Sequence, residues 1–186
     1  LPIELTRLPF VESSFNIYAR SKVGASGVWQ FMRRTARNYM HVDSLVDERN
    51  DPLRATRASA RLLKSNFQLL GNWPLALTAY NHGPTGVLKL TQKLSTRELV
   101  EIIQKEKSNR FGFASSNFYA CFLAALRVEQ QAKRFLGAVK LPQRLFAECQ
   151  CRQPMTKPTV FAGVIRFIRS RVNWVFHSIS SAKRMI

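Results

Sequence analysis

Apolar residues recur at three- and four-residue intervals along nearly the whole chain, and no stretch alternates with the period of two that a half-buried strand would show. That periodicity confines the chain to a mainly α fold. Leu5, Leu8, Phe10 and Val11 give a first helix an apolar face that ends near Glu12 and Ser13. A polar, glycine-containing stretch runs from Asn16 to Gly27, and Val28–Tyr39 then reads as a second helix with Arg33, Arg34 and Arg37 toward water. Asp51-Pro52 is a helix start, a capping side chain followed by proline at the first helical position. Apolar and basic residues alternate at helical spacing from there to Leu70, and Gly71 is a natural stop. Trp73–Tyr80 is a short apolar helix closed by Asn81 and Gly83-Pro84. Further helices are expected over Thr96–Lys105 and over a long segment from about Ser115 to Phe135.

The character changes after Gly137. Pro142, Pro154 and Pro158 break the pattern, and Val160–Ile179 follows as an apolar and basic run without an acidic residue. Phe161, Val164, Ile168, Val172, Val175 and Ile179 recur there at helical spacing, with Arg166, Arg169 and Arg171 among them. Such a helix either packs on its own domain or rests on an anionic surface. Residues 1–136 therefore read as one domain and 137–186 as a basic extension. Lys and Arg number 29 against 11 acidic residues, a formal net charge of +18. Residues 1–106 hold 15 basic and 9 acidic side chains, so the remaining 14 basic and 2 acidic ones concentrate the excess in the back half. Charge of this size favours polyanionic surfaces. Nucleic acid is not expected as the partner, because no groove-reading motif and no interleaving of aromatic and basic residues accompanies it.

Cys121 sits in an apolar helical stretch as a small hydrophobe, and Cys149 and Cys151 are too close in sequence for an unstrained mutual disulfide. Neither a disulfide framework nor a metal site is indicated. No apolar run is long enough to span a bilayer. Leu1 opens directly onto an amphipathic pattern, so the chain reads as part of a longer precursor whose targeting segment is not included.

Four segments carry chemistry together: Pro9-Phe10-Val11-Glu12-Ser13-Ser14-Phe15-Asn16, Gly24-Ala25-Ser26-Gly27-Val28-Trp29-Gln30-Phe31-Met32, Ala79-Tyr80-Asn81-His82-Gly83-Pro84 and Asn117-Phe118-Tyr119. In this order and spacing, over about the first 135 residues, they resemble the soluble lytic transglycosylases, which share the goose-type lysozyme fold. Within that family they are similar to the membrane-bound lytic transglycosylase D branch, where the second motif commonly reads Gly-Leu-Trp-Gln-Phe-Met. The resemblance implies a helical, lysozyme-like domain that cuts peptidoglycan glycan strands between N-acetylmuramic acid and N-acetylglucosamine. No cofactor is implied, and the expected setting is the bacterial cell envelope, with the protein acting as a monomer.

Glu12 is the expected catalytic acid. It follows Leu8, Pro9, Phe10 and Val11, so its carboxyl is expected at the lip of an apolar cleft, where desolvation keeps a proton on it near neutral pH. A lone glutamate at a helix end is ordinarily a solvated surface residue; the neighbouring motifs argue otherwise. Glycosidases of the usual kind need a second carboxylate, and residues 13–42 contain none. The family's route then applies, in which the muramic 6-hydroxyl closes a 1,6-anhydro ring without water. Glu101 and Glu4 are the two candidates for a second carboxylate; if either lined the cleft, hydrolysis would follow. A third reading is a cationic wall- or membrane-binding protein with an inactive enzyme domain.

By resemblance, Ser13, Ser21, Gln30 and Met32 are expected near the sugars or the catalytic glutamate, and Tyr80 and Asn81 flank the cleft with the tyrosine hydroxyl near Glu12. Trp29 and Phe31 are expected in the core. The fourth motif departs from the family's Asn-Tyr-Val: Phe118 holds the tyrosine's place and Tyr119 follows, and Tyr119 is taken as the cleft residue. His82 stands where the family often has alanine and reads as a hydrogen-bonded loop histidine. His41 and His177 are assigned nothing.

Overall fold

The computed structural model describes residues 1–106 and 108–137. Among these the chain is helical and contains no strand, only isolated bridges such as Ser26 to Phe31. No helix among the described residues is long and apolar enough to cross a membrane. The chain divides into two compact units, Leu1–Arg127 and Val128–Ile186.

The first expected helix is split. A 3-10 turn, Ile3–Arg7, precedes α1, Leu8–Glu12. Pro9 has no N–H to give to a preceding turn, so a regular helix can begin only just before it. Glu4 therefore lies on the 3-10 turn and not on α1 with Glu12. The second expected helix shrinks to α2, Arg33–Ala36. Gly27 and Gln30 take positive φ, 77° and 47°, and the Ser26 bridge to Phe31 folds Val28–Gln30 into a turn.

The centre is α3, Pro52–Leu70, and its ends follow the sequence signals. Asp51 accepts from the backbone of Leu53 and Arg54 at 2.9 and 3.0 Å, satisfying two N–H groups that a helix start leaves unpaired. At the other end Gly71 adopts φ 82° and returns its N–H to Phe67. Ala55, Ala58, Ser59, Leu62, Leu63, Asn66 and Leu70 form its buried stripe at helical spacing. Against it lies α4, Trp73–His82, whose residues Leu75 to Ala79 are all buried. A helix absent from the sequence reading, α5, Pro84–Lys93, packs on α4 in turn. Pro84 is both the stop of α4 and the first residue of α5, and only the first role was recognised.

Then come α6, Leu99–Lys105, and α7, Phe113–Gln130. One apolar cluster joins Leu8, Trp29, Phe31, Ala58, Leu62, Leu77 and Phe118; a second joins Leu70, Leu75, Val87, Ile102 and Phe111. Tyr119 packs against both. In the second unit the described residues are the end of α7 and α8, Ala132–Leu136, so the expected long helix to Phe135 is interrupted at Gln131, and Gly137 takes φ 74° beyond it. Cys149, Cys151, His177 and the run Val160–Ile179 lie outside the described residues.

Candidate active site

Glu12 is the last residue of α1, and the chain beyond it is locked into an unusual turn. Ser14 and Phe15 take φ of 51° and 58°, a region that ordinary side chains avoid, and the Phe15 ring meets Phe10 edge-on at 4.8 Å. Ser13 ties this turn to its neighbour: its hydroxyl donates to the Val28 carbonyl at 2.7 Å. The Glu12 side chain is partly buried, and desolvation raises its carboxyl from 4.5 to about 8. Among the described residues no charged neighbour contributes to that shift.

Three further elements converge on the same place. From α4, Tyr80 donates its hydroxyl to the Trp29 carbonyl at 2.9 Å and sets its ring edge-on against Phe31 at 6.0 Å. Burial raises the Tyr80 phenol well above its ordinary range, and a charge on Glu12 raises it further, so the two groups lie within electrostatic reach. From α3, the Ser59 hydroxyl opposes that rise, yet it has no hydrogen bond of normal geometry. Ser59 is thus a buried hydroxyl beside Tyr80 with bonding capacity to spare. Trp29, buried, donates its indole N–H to Thr56 at 2.8 Å, and Phe31 is buried with it; both are core, as expected.

The Gly24–Phe31 loop is held by a residue that the sequence reading missed. Arg49 is only 6% exposed. One of its terminal nitrogens donates to the carbonyls of Gly24 and Phe31 at 2.8 and 2.9 Å, while Nε and Nη2 pair with Asp47. A methyl group at Gly27 would come within 1.9 Å of the Arg49 carbonyl oxygen, so only glycine fits there. The only available signal was a mixed acidic and basic cluster, Asp47-Glu48-Arg49, which ordinarily reads as solvated surface.

The expected sugar-contact residues fall into two groups. Gln30 and Ser21 are tied to loop backbone: Gln30 donates to the carbonyls of Ala19 and Gly27, and the Ser21 hydroxyl accepts from Ala25 at 2.9 Å. Met32, at 44% exposure, and Asn81 are open to solvent. Asn81 accepts from the Ser115 hydroxyl at 3.1 Å. Phe118 is buried in the core whereas Tyr119 keeps part of its surface accessible. His82 ends α4 rather than lying in a loop, and its Nδ1 lies 3.0 Å from the same Ser115 hydroxyl. Desolvation and the Arg110 charge lower its proton affinity. Cys121 is half-buried rather than enclosed.

The other carboxylates of residues 1–106 are paired elsewhere, cap a helix or stand exposed. Glu101 pairs with Lys105 one turn along α6 at 2.8 Å, and that hydrogen bond lowers its pKa; Glu4 is exposed on the first 3-10 turn. Asp47 serves Arg49, Glu48 pairs with Arg54, Asp51 caps α3, and the buried Glu106 pairs with Lys93. His41, to which the sequence gave no partner, meets Asp43 at 2.7 Å, while Glu98 stands exposed at the start of α6. The open depression lined by Leu88, Thr91, Gln92, Ser95, Thr96 and Arg97 shares no residue with the Glu12 site and holds no carboxylate.

Comparison with known proteins bears on this site. The family described as Transglycosylase SLT domain matches residues 1–106. Membrane-bound lytic murein transglycosylase D of Escherichia coli strain K12 is 37% identical over 91 residues, and its counterpart in the O6:H1 strain CFT073 matches equally. These alignments cover 48% of this chain and 20% of each relative, so the chain spans about a fifth of their length. A protein of Alteromonas sp. strain M-1 named for tributyltin chloride resistance is 32% identical over 99 residues, 52% of this chain and 48% of its own.

Proposed function

The chain belongs to the transglycosylase SLT domain family, and from that premise we propose that it cuts peptidoglycan glycan strands between N-acetylmuramic acid and N-acetylglucosamine, with Glu12 as general acid and then base. The observation that carries this reading is the Glu12 carboxyl, raised to about 8 by desolvation alone. At neutral pH it holds a proton, which it gives to the glycosidic oxygen as the bond from that oxygen to the muramic C1 breaks. The resulting carboxylate takes the proton of the muramic 6-hydroxyl while that oxygen bonds to C1. The product is a 1,6-anhydro sugar, Glu12 is again protonated, and no water is consumed.

What favours this route over hydrolysis is that residues 13–42 hold no carboxylate, while Glu101 is paired with Lys105 and Glu4 is exposed. Tyr80 lies within electrostatic reach of Glu12 and, with its hydroxyl proton given to the Trp29 carbonyl, would act by fixing the loop beside the glutamate. Met32, Asn81 and Tyr119 would contact the strand, while Ser13, Ser21 and Gln30 would act by holding the loops that shape the cleft. Residues 1–136 would form the catalytic domain and 137–186 a basic extension suited to anionic envelope surfaces. The envelope is the setting in which this substrate occurs, and the Escherichia coli relatives are named as membrane-bound.

Mass spectrometry of fragments released from purified peptidoglycan tests the proposal. The parent should release anhydro-muropeptides and Glu12→Gln none. Reducing-end products would make the protein a hydrolase and turn attention to Glu101 and Glu4. Wall that binds both forms alike and releases nothing, acetylated or deacetylated, would leave a cationic binding protein.

A further inference from the structure

Asn81 and His82 end α4, and Ser115 opens α7; one hydroxyl joins all three. Ser115 Oγ lies 3.1 Å from Asn81 Oδ1, to which it donates, and 3.0 Å from His82 Nδ1. A serine hydroxyl carries a single proton. Once that proton points at Asn81, the contact with His82 must run the other way, so the imidazole donates from Nδ1. The ring is seated on further sides. A methyl group at Gly86 of α5 would come within 2.7 and 2.8 Å of Cδ2 and Nε2, so the ring rests directly on that backbone. Phe111 meets it at 5.1 Å with a 78° interplanar angle. Ser115 itself is buried.

We propose that His82 and Ser115 are positioning residues that hold the Asn81 side-chain carbonyl inward and so present its N–H2 group to the substrate. Asn81 is then committed as a donor, and its partner on the glycan must be an acceptor: a hydroxyl, ring or carbonyl oxygen. This rests on the reading that Asn81 borders a glycan-binding cleft; the hydrogen-bond relay itself does not. The relay survives acid, because Nδ1 carries a proton in both the neutral and the charged imidazole. Arg110 is the charged group whose field reaches the ring, and with burial it favours the neutral form. Without the relay, the Asn81 amide is free to turn over and offer its carbonyl instead.

Two measurements on the full chain separate these claims. Long-range proton–nitrogen spectra of the histidine rings should show His82 protonated at Nδ1 near neutral pH; the Nε2–H tautomer would overturn the relay whatever the protein acts on. The second measurement is binding of soluble peptidoglycan glycan fragments in a Glu12→Gln background, followed by the Asn81 side-chain amide signals. Ser115→Ala and His82→Gln should each weaken binding about three- to tenfold, the worth of one misdirected hydrogen bond. His82→Asn, whose amide nitrogen takes the place of Nδ1, should restore it, as should Ser115→Thr. Equal losses in all four variants would mean that the site tolerates no change and that positioning is not what His82 does. Fragments that bind without shifting the Asn81 amide would overturn its role as the donor. An Nδ1–H tautomer in a protein that binds no glycan would sink the proposed function and leave the relay standing.

Discussion

The Glu12 side chain is charged at neutral pH in the unfolded chain and largely uncharged in the folded one. Its carboxyl rises from 4.5 to about 8 on burial, so the folded state binds the proton more tightly and stability falls as pH increases. Below pH 4.5 both states are protonated and the group costs nothing; the cost grows through neutrality and levels off above about pH 8. At pH 7 the shift corresponds to about 3 kcal/mol. Glu12→Gln removes the charge and keeps the shape. It should therefore be more stable than the parent by about 1 to 3 kcal/mol at pH 7 to 9 and equal to it at pH 4, as read by thermal melts across that range. A variant less stable than the parent at pH 9 would mean that the carboxylate is well solvated or paired. Glu12 was legible because its burial was written in the four apolar or small residues before it. Arg49, Ser59 and Ser115 were not, because what makes each of them matter lies far along the chain. Arg49 reaches Gly24 and Phe31 across 25 and 18 residues, and Ser115 reaches Asn81 across 34.

At the scale of elements, helices with strong end signals were readable and turns held by distant contacts were not. The limits of α3 follow from Asp51, Pro52 and Gly71, whose effects are local. The Val28–Gln30 turn has helical spacing in sequence yet folds otherwise, because the guanidinium of Arg49 takes the Phe31 carbonyl that a helix would have used. That contrast is measurable. Asp51→Ala removes one cap from a helix stabilised along its whole length by packing, and should cost about 1 kcal/mol with activity retained. Gly27→Ala must both adopt φ 77° and displace the Arg49 backbone, which a built methyl group approaches to 1.9 Å. It should cost more than about 3 kcal/mol and should also move the loop that carries Trp29 and Gln30. Urea melts rank the two, and cleavage measured below both midpoints shows whether the loop is displaced. A Gly27→Ala protein with parental stability would mean that the loop adapts and that the Arg49 pins are dispensable.

For the whole molecule the dominant quantity is charge. The net value is +18, and between positions 52 and 97 there is no Asp or Glu. On α3, Arg57, Arg61 and Lys64 follow one face at helical spacing and are exposed, with the Arg61 guanidinium over the Tyr39 ring at 6.0 Å. A cleft that recognises a glycan by hydrogen bonds is insensitive to salt, whereas a basic face drawn to carboxylates of a cell wall is not. The two contributions can therefore be separated by ionic strength. Raising salt from about 0.1 to 1 M shortens the screening length from ~10 to ~3 Å, so binding of Glu12→Gln protein to insoluble peptidoglycan should fall at least about tenfold. Reversing Arg57 and Lys64 to glutamate should flatten that salt dependence, because neither side chain belongs to the Glu12 site, and should leave cleavage of short soluble strands within about twofold of the parent. Binding that ignores salt would instead place the whole affinity in the cleft. The cationic face of α3 would then contribute to solubility and not to capture of the wall.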